Sequence, residues 1–494
     1  MASATLFDLS PLLDRLRPLL AAEASPVYVV GGTVRDALLG RASHDIDLAV
    51  AAGAVPLTFR LADALHLPAY VLDAERDVGR IIVPDEGTTL DIARFRGNAL
   101  ADDLRGRDFT INALALPATG RAADDVIDHH GGLADLAAGL VRIIHPRSIA
   151  DDPVRALRAV RFAVHLGYTL TPDTAAAARA AGPAIPAQSS AERVRDELSR
   201  LLAGEAPQRT IALLAELELL PVVLPLVAAL DDVTQSPPHH EDVLAHTLSV
   251  LRYLFQIEQL VDGQPVSAEW AADVEHTLAP YRAGLREHLN RTTDGGSSGQ
   301  LLLRWGGLLH DVGKRVTRTV DADGRVRFLG HDDAGAGMAA GILSGYSFSN
   351  EAVRRVRAIV AGHMRPLLLA NERHPPSRRT LYRYYRSLHE AGLDVAMLSL
   401  ADHLATYDGR GDATAWGALL DVVTALLDVY FHQYEQIVAP PRLLDGRAIM
   451  ELLKIPPGHE IGRLLKLLEE AQAAGEVTTA DEAIAFVERH FTAQ

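Results

Sequence analysis

The chain has 494 residues, 48% of them hydrophobic, and a formal net charge of −16 at pH 7. This length favours three or four domains, and the ordinary globular composition argues against extensive disorder. The absence of cysteine excludes disulfides, thiolate zinc sites and cysteine nucleophiles.

The sequence shows no run of apolar residues long enough to span a bilayer, and its first residues lack the basic start and hydrophobic core of a secretory signal. It therefore predicts a cytosolic (cytoplasmic) protein with no membrane partner. The acidic balance does not exclude nucleic acid, because a local groove of arginines can bind phosphates on an acidic body.

The first elements place two carboxylates on one strand. An amphipathic packing helix over 6–22 leads to a buried strand over 28–30, a glycine turn, a short helix closed by Gly40 and a strand carrying Asp45 and Asp47. Residues two apart on a strand point to the same face, so these carboxylates can share one or two divalent ions. We expect Mg²⁺ there.

The glycine turn has the features of a phosphate site. Gly31 and Gly32 let the backbone approach a phosphate closely, and the amides that open the following helix face it with their positive dipole end. Arg35, one helical turn further, can bind the same phosphates through its planar guanidinium. The stretch predicts a magnesium site that accepts a triphosphate.

The same stretch resembles a known signature. Val-Gly-Gly-x-Val-Arg-Asp from Val30, then Leu-Leu-Gly-Arg and Asp-Ile-Asp, is similar to the head domain of the class II tRNA nucleotidyltransferases and bacterial poly(A) polymerases. The resemblance implies a polymerase-beta-like head in which Asp45 and Asp47 are catalytic and bind Mg²⁺. It also implies tRNA as the acceptor and CTP, with ATP as a further candidate, as the nucleotide.

A helix over 56–65 and strands over 69–72, 79–83 and 88–95 follow, which predicts a mixed sheet with helices on one side. In the last strand, Asp91 matches the position at which this superfamily supplies a third acidic group. The alternative is an edge-strand charge that faces water.

A second motif follows these strands. Arg-Asp-Phe-Thr-Ile-Asn-Ala from Arg107 resembles the family's second motif, with Gly106 in place of its first arginine. The resemblance implies that Arg107 contacts the triphosphate and that Asp108 belongs to the nucleotide-binding set. Asn112 is implied to hydrogen-bond the sugar or to hold the site together.

Between the third strand and this motif, only the five residues 97–101 separate Arg96 from Asp102. In full CCA-adding relatives this connection is a long flexible loop, so its absence resembles the CC-adding subgroup. A change from cytosine to adenine specificity needs a moving element, and a five-residue link has little reach. Short loops also arise by neutral trimming.

The segment over 149–162 predicts a helix. Asp152 suits its cap and Pro153 its first turn. The stretch resembles the family's Glu-Asp-x-x-Arg motif, with Asp151 in place of Glu, which implies that Asp152 accepts from the cytosine amino group while Arg155 donates to the ring. Arg158 would lie at the base or at a phosphate. The alternative is that Arg155, Arg158 and Arg161, which recur every three residues on one face of the helix, simply face solvent.

Further helices are predicted over 174–181, 190–202 and 206–219, before a polar linker over 231–240. His-Asp-Val-Gly-Lys then begins at His310, and the order of its partners resembles the HD phosphohydrolase superfamily. The implied metal ligands are His246, His310, Asp311 and Asp402, with His331 and His363 as additional ligands. Such ligands suit Mn²⁺, Mg²⁺, Ni²⁺ or Fe, and hydrolytic activity is left open.

Residues 371–386 are rich in arginine and tyrosine, which favours either nucleic-acid binding or a helix with its tyrosines packed inward. The sequence thus predicts an α+β fold with a nucleotidyltransferase head (1–147), an all-α neck and body (148–230), an α-helical HD domain (231–440) and a helical tail (441–494).

The predicted function is template-independent addition of C residues from CTP to immature tRNA 3′ ends. The alternatives are a full CCA-adding enzyme, a poly(A) polymerase, and an HD phosphohydrolase as the main activity. The oligomeric state is left open.

Overall fold

The structure is a computed structural model that describes residues 11–41, 45–84 and 87–491. It consists of two compact units, Met1–Ser190 with Leu217–Leu219, and Ala191–Glu216 with Leu220–Gln494. This division falls within the predicted neck and body, and the boundaries of the four predicted domains stay predictions.

The first unit contains a seven-stranded sheet in the order β3-β4-β5-β2-β1-β6-β7. Its strands are β1 Tyr28–Val30, β2 Asp45–Val50, β3 Ala69–Asp73, β4 Val78–Val83, β5 Thr88–Arg94, β6 Leu114–Pro117 and β7 Ile127–Asp128. The pair β2 and β5 is parallel, whereas β4 and β5 are antiparallel. The sheet is mixed, as predicted.

The helices that belong to this sheet are α1 Pro11–Ala21, α2 Gly32–Leu38, α3 Ala54–Leu65, α4 Leu100–Arg105 and α5 Gly132–Ala138. In α1, the leucines at 12, 13, 16 and 20 are buried, which confirms the predicted packing face. Residues 6–10 of that predicted helix lie outside the described residues. Helices α4 and α5 and strands β6 and β7 were not predicted from the sequence.

The first unit ends in a helical part with β8 Leu140–Val141, α6 Arg155–Leu166, β9 Thr169–Leu170, α7 Pro172–Ala181 and α8 Ile185–Gln188. The prediction of a cap at Asp152 is wrong, because α6 begins only at Arg155 and Val154 is its N-cap. The backbone before it forms tighter turns, in which the Arg155 N–H donates to the Asp152 carbonyl at 3.0 Å.

The second unit is built mainly of helices. Before and within the predicted HD domain these are α9 Ala191–Ala203, α10 Pro207–Glu216, α11 Leu220–Val223, α12 Pro225–Ala228, α13 Val243–Val261, α14 Ala271–Leu278, α15 Arg282–Asn290, α16 Gly299–Leu309 and α17 Lys314–Thr317. A short hairpin follows, with β10 Thr319–Val320 and β11 Val326–Arg327.

The remaining helices are α18 His331–Gly345, α19 Asn350–Gly362, α20 Arg365–Asn371, α21 Arg378–Leu388, α22 Ala391–Tyr407, α23 Ala413–His432, α24 Gly446–Leu453, α25 His459–Ala473 and α26 Ala480–Phe491. Nearly the whole of α22 is buried, so this helix forms the centre of the unit's core. The tail helices α24 to α26 enclose a smaller core that includes Ile449, Leu464, Leu468 and Val487.

One helix of the described part of the chain, α23, is long and apolar enough to cross a membrane by length and composition. The sequence analysis missed this run because Asp421 and Asp428 interrupt it. Its buried face, which includes Trp416 and Leu427, packs in the core of the second unit.

Helix α21 contains most of the arginine- and tyrosine-rich segment, for which either nucleic-acid binding or inward-packed tyrosines were predicted. Its tyrosines point inward, with Tyr382, Tyr384 and Tyr385 at most 4% exposed. Its arginines pair with the tail: Arg379 Nη2 is 2.8 Å from Glu476 Oε2, Arg383 binds Glu470 of α25, and Arg386 Nη2 is 3.7 Å from Glu469 Oε2. The inward-packing alternative is therefore confirmed.

Candidate functional site

Three carboxylates meet on one face of the sheet. Asp47 on β2 lies directly opposite Asp91 on β5, and Asp45 lies opposite Thr89. The Thr89 hydroxyl donates to Asp45 Oδ1 at 2.8 Å. Because β5 lies between β4 and β2, the alternative of an edge strand is wrong.

The Asp47 carboxylate is buried beside two other carboxylates. Burial raises the pKa of Asp47 to about 6; Arg107 opposes this shift, and the negative charges of Asp91 and Asp45 reinforce it. A divalent cation beside these oxygens would reverse the balance, and carboxylate oxygens are the donors that Mg²⁺ prefers. The residues present therefore fit the predicted magnesium site.

Asp91 forms an ion pair with Arg80. Arg80, opposite it on β4, donates from Nε to Oδ1 at 2.6 Å and from Nη2 to Oδ2 at 2.7 Å. The sequence analysis missed Arg80. A signal was present, because Arg80 and Asp91 are equally far from the turn between β4 and β5 and therefore pair in a regular hairpin.

The glycine turn and Arg107 form the corner next to Asp47. Gly31 has a φ of 73°, and a Cβ built on it would lie 2.5 Å from Arg107 Nη1 and 3.7 Å from Asp47 Oδ2. The Arg107 guanidinium is held by Asp103, which accepts from Nε and Nη2 at 3.2 and 3.0 Å. Nη1 of Arg107 therefore lies at the turn, where the sequence predicts the triphosphate.

Thr33 ties this turn to the carboxylate strand. Its hydroxyl donates to the Asp45 carbonyl and accepts from the Asp47 N–H, both at 3.1 Å. These two bonds fix the start of α2 against β2, on which Asp45 and Asp47 lie.

Arg35 binds protein groups in this structure. Its Nε and Nη2 donate to Asp36 at 2.8 Å each, and its Nη1 donates to Asn112 Oδ1 at 2.5 Å. The side chain is only 9% exposed. Its predicted contact with phosphates is not among these bonds and stays a prediction.

A buried network continues from Asn112. Its amide donates to Asp108 Oδ1 at 3.0 Å, and Arg158 Nε donates to Asp108 Oδ2 at 2.7 Å. Burial would raise the pKa of Asp108, but the Arg158 charge and the hydrogen bonds from Asn112, Arg158 and the Phe109 N–H hold it well below its ordinary value. Asn112 therefore links Arg35 to Asp108, and its predicted hydrogen bond to the sugar stays a prediction.

Three guanidinium groups lie close to the ring of Phe162 on α6. Arg161, Arg35 and Arg158 lie 4.4, 4.9 and 5.5 Å from the centre of its ring. Cations are attracted to the face of an aromatic ring. Phe162 therefore helps to assemble the cationic side of the site.

Arg155 supports the segment that carries Arg107. Its Nη1 donates to the carbonyls of Arg107 and Ser148 at 3.2 and 3.0 Å, and its Nη2 donates to the Gly106 carbonyl at 2.9 Å. Its Nε lies 3.6 Å from Asp152 Oδ2. The predicted base-reading pair is thus adjacent.

The short connection before this segment is a tight turn. Leu100 already belongs to α4, and the Asp102 carboxylate accepts from the N–H groups of Asn98 and Ala99 at 3.1 Å each. A Cβ on Gly97 would lie 2.5 Å from that of Asp102. Because residues 100 and 101 belong to α4, fewer than the five connecting residues predicted from the sequence lie outside a helix.

The second unit brings together all six predicted HD residues. Asp311 Oδ2 lies 3.1 Å from His310 Nε2, 3.8 Å from His246 Nε2 and 2.7 Å from Lys314 Nζ. Its Oδ1 lies 3.4 Å from His331 Nε2.

The other two residues complete the cluster. His363 Nε2 is 3.1 Å from His331 Nε2, and Asp402 Oδ1 is 3.0 Å from His246 Nε2. Two groups have donor atoms close enough to hold a metal ion: His246, His310 and Asp311; and Asp311, His331 and His363. Asp402 contacts the first group through His246.

The histidines are oriented as metal ligands are. His310, His331 and His363 each donate from Nδ1 to the carbonyl three residues earlier, at 2.7 to 2.8 Å. Each ring therefore turns its Nε2 towards the cluster, where that nitrogen can bind a metal when it carries no proton. Burial lowers the pKa of His363 to about 4, and His310 adds to this shift, so His363 is neutral at pH 7. These residues fit a divalent metal.

Comparisons with known proteins match both parts of the chain. Three family models match: the poly A polymerase head domain over 27–142, the probable RNA and SrmB-binding site of polymerase A over 167–230, and the HD domain over 243–407. The chain is 35% identical to the A-adding tRNA nucleotidyltransferase of Deinococcus radiodurans, over 96% of this chain and 98% of that protein. The chain belongs to the tRNA nucleotidyltransferase family.

Another relative of this nucleotidyltransferase is the CC-adding enzyme of Thermus thermophilus, 33% identical over 93% of this chain and 92% of that protein. Among solved structures, a Thermotoga maritima CCA-adding enzyme complexed with tRNA has a TM-score of 0.58 at 20% identity, covering 99% of this chain and 98% of that one. The structural likeness confirms the predicted fold class.

A cavity of about 610 Å³ opens at the HD cluster of this nucleotidyltransferase. Asp311, His331 and Asp402 line it, with Lys314, Arg325 and Arg327 as cationic lining residues. The segment 235–239, predicted as a linker, forms one wall. The His239 ring packs 4.9 Å from that of His246.

Proposed function

We propose that the chain adds C residues from CTP to the 3′ ends of immature tRNA without a template. This proposal rests on one observation: Asp47 pairs with Asp91 in register, Asp45 lies on the same face, and Arg107 lies at the adjacent glycine turn. If Mg²⁺ at these carboxylates also binds a triphosphate, the Arg107 guanidinium and the backbone of Gly31 lie beside its phosphates. CCA-adding enzymes with CTP and with tRNA are among the similar structures.

In this reaction the 3′ hydroxyl of the RNA attacks the α-phosphorus of CTP and pyrophosphate leaves. Asp45, Asp47 and Asp91 would hold Mg²⁺, which neutralises charge on the attacking and leaving oxygens when bound. Arg107 would bind the leaving pyrophosphate, and Arg155 holds the backbone of Arg107 in place. Catalysis of this kind depends on positioning and charge rather than on a covalent intermediate.

For base selection we propose Asp152 and Arg155. The Asp152 carboxylate is 26% exposed and can accept from the cytosine amino group. The Nη atoms of Arg155 bind carbonyls, so its contribution to the base would come through Nε or after a change of partners. Arg158, bound to Asp108, supports the same region. The phosphate contact of Arg35 would likewise require it to leave Asn112 or Asp36.

The stop after two C residues is supported by the tight turn at 97–99, which has no length to spare for a moving loop. A second candidate is addition of A, which the Deinococcus relative favours by its name. Full CCA addition and poly(A) synthesis are the remaining alternatives. ATP therefore belongs in every assay.

Sequencing of product ends decides among these outcomes. With CTP and ATP present, a tRNA that ends at the discriminator base should gain two C residues and stop, and a tRNA ending in CC should accept A poorly. Complete CCA ends, A added only to CC ends, or long A tails would each assign a different activity. A longer loop grafted between Arg96 and Asp102 should restore some A addition.

For the second unit we propose metal-dependent phosphoester hydrolysis. It is supported by the two groups of potential metal ligands that share Asp311 and by the cationic cavity beside them. A divalent ion such as Mn²⁺, Mg²⁺, Ni²⁺ or Fe would act there as a Lewis acid. The cytoplasmic location stays a prediction from the sequence.

A further inference from the structure

Four polar residues form one row across four strands of the sheet. Tyr70 on β3 lies opposite Arg80 on β4, Arg80 opposite Asp91 on β5, and Asp91 opposite Asp47 on β2. Residues paired in this way point to the same face of a sheet. The row therefore continues the carboxylate face outward to the edge strand.

The outer part of this row is open. Tyr70 is 42% exposed, and Ile82, two residues after Arg80 and hence on the same face, is 36% exposed. The Arg80 side chain is 31% exposed. Tyr70, Arg80 and Ile82, here called the shoulder, together present an aromatic ring, a cation and an apolar side chain next to Asp91.

The order of the strands decides which reactant meets the shoulder. Gly31 follows β1, which flanks β2 on the side away from β5, and Arg107 lies against Gly31. In an in-line displacement the leaving pyrophosphate and the attacking hydroxyl lie on opposite sides of the α-phosphorus. With the pyrophosphate at Arg107, the hydroxyl must arrive from the side of Asp91.

We propose that the shoulder binds the 3′-terminal nucleotide of the acceptor RNA, an inference that rests on the proposed function. Tyr70 stacks on the terminal base, because aromatic rings bind bases of any identity through their faces. Ile82 packs against the same nucleotide.

Arg80 can serve both Asp91 and the RNA. Asp91 occupies one edge of its guanidinium, through Nε and Nη2. The Tyr70 hydroxyl also hydrogen-bonds this guanidinium. Because a guanidinium has five N–H donors, donors remain for a phosphate beside these two partners. A guanidinium that holds the third carboxylate and the RNA backbone together would align the 3′ hydroxyl for attack.

Kinetics with the full-length enzyme test this proposal. For Tyr70→Ala, the KM for tRNA lacking its 3′ end should rise about ten-fold, while the KM for CTP stays within about two-fold. Tyr70→Phe keeps the ring, loses only the hydrogen bond between its hydroxyl and Arg80, and should raise this KM by less than Tyr70→Ala does. Val71→Ala is the matched control, because Val71 is equally exposed at 42% but is the next residue of β3 and faces the other side.

A binding measurement tests Arg80 independently of turnover. For Arg80→Gln, the slope of log Kd for tRNA against log salt should fall by about one. An unchanged slope, together with equal KM values for Tyr70→Ala and Val71→Ala, would overturn the proposal. A wild-type enzyme that adds no nucleotide to tRNA would instead overturn the proposed function, so the two failures are distinguishable.

Discussion

The Nη1 atom of Arg107 occupies the space that a side chain on Gly31 would need. A Cβ at Gly31 would lie 2.5 Å from that atom, and the backbone there has a φ of 73°, which residues with a Cβ adopt at a cost. The missing side chain is what lets Arg107 stand beside the carboxylates.

We therefore expect Gly31→Ala to displace Arg107 and to reduce CTP incorporation about a hundred-fold or more, since small misplacements in an active site have effects of this size. Gly40→Ala is the control, because Gly40 has a similar φ of 67° but open space around it. Both variants should lose about 1 kcal/mol of stability, measured by denaturant unfolding. Equal activities of the two variants would contradict the role of the Arg107 contact.

Removal of either carboxylate of β2 should abolish nucleotide addition without unfolding the protein. Asp45→Ala and Asp47→Ala each remove an oxygen ligand for Mg²⁺ from one face of the sheet, whereas Asp63→Ala, at an exposed position of α3, should have no effect. Incorporation of labelled CTP into tRNA lacking its 3′ end is the readout, with a thermal melt in parallel. Activity near the wild-type level in either variant would refute the site.

The HD site should be independent of CTP addition. His310→Ala combined with Asp311→Ala removes the centre of the cluster and should eliminate any metal-dependent phosphatase or phosphodiesterase activity. Measurements with Mn²⁺, Mg²⁺ and Ni²⁺ in turn would identify the metal. CTP addition should stay at the wild-type level, and its loss in a folded variant would show that the two activities are coupled.

A buried ionic cluster in the second unit should make stability depend on acid pH. Asp394 accepts from Arg355 Nε at 2.7 Å and from Nη2 at 2.9 Å, and its Oδ1 lies 2.8 Å from His288 Nε2. Burial would raise the pKa of Asp394, but the Arg355 and His288 charges outweigh it and lower the pKa to about 2. A carboxyl whose pKa falls on folding stabilises the protein above its unfolded pKa of about 4, and this stabilisation is lost as the pH falls towards 2.

We expect Asp394→Asn to lower the free energy of unfolding by about 3–5 kcal/mol at pH 7, because it leaves Arg355 buried without its full countercharge. The difference from the wild type should shrink between pH 4 and pH 2. Asp421→Asn, at an exposed position of α23, is the control and should leave stability unchanged. A pH-independent difference for Asp394→Asn would show that packing, not charge, is responsible.

The sequence by itself determined the features that depend on local spacing. Asp45 and Asp47 share a face because successive side chains of a strand alternate, and Gly31 marks a turn because its backbone conformation disfavours a Cβ. The motifs at Arg107 and His310 likewise identified the chemical groups of each site, and the structure brings the HD residues together as predicted.

Only the tertiary structure decided which of these groups are bound to each other. Arg80 reaches Asp91, Arg155 reaches the carbonyls around Arg107, and Arg379 pairs with Glu470 of the tail helix α25, about ninety residues further along the chain. A guanidinium has five donors and a long flexible stem, so its partner is set by which elements pack beside it. That packing depends on strand order, register and helix contacts between distant segments, which local patterns in the sequence do not encode.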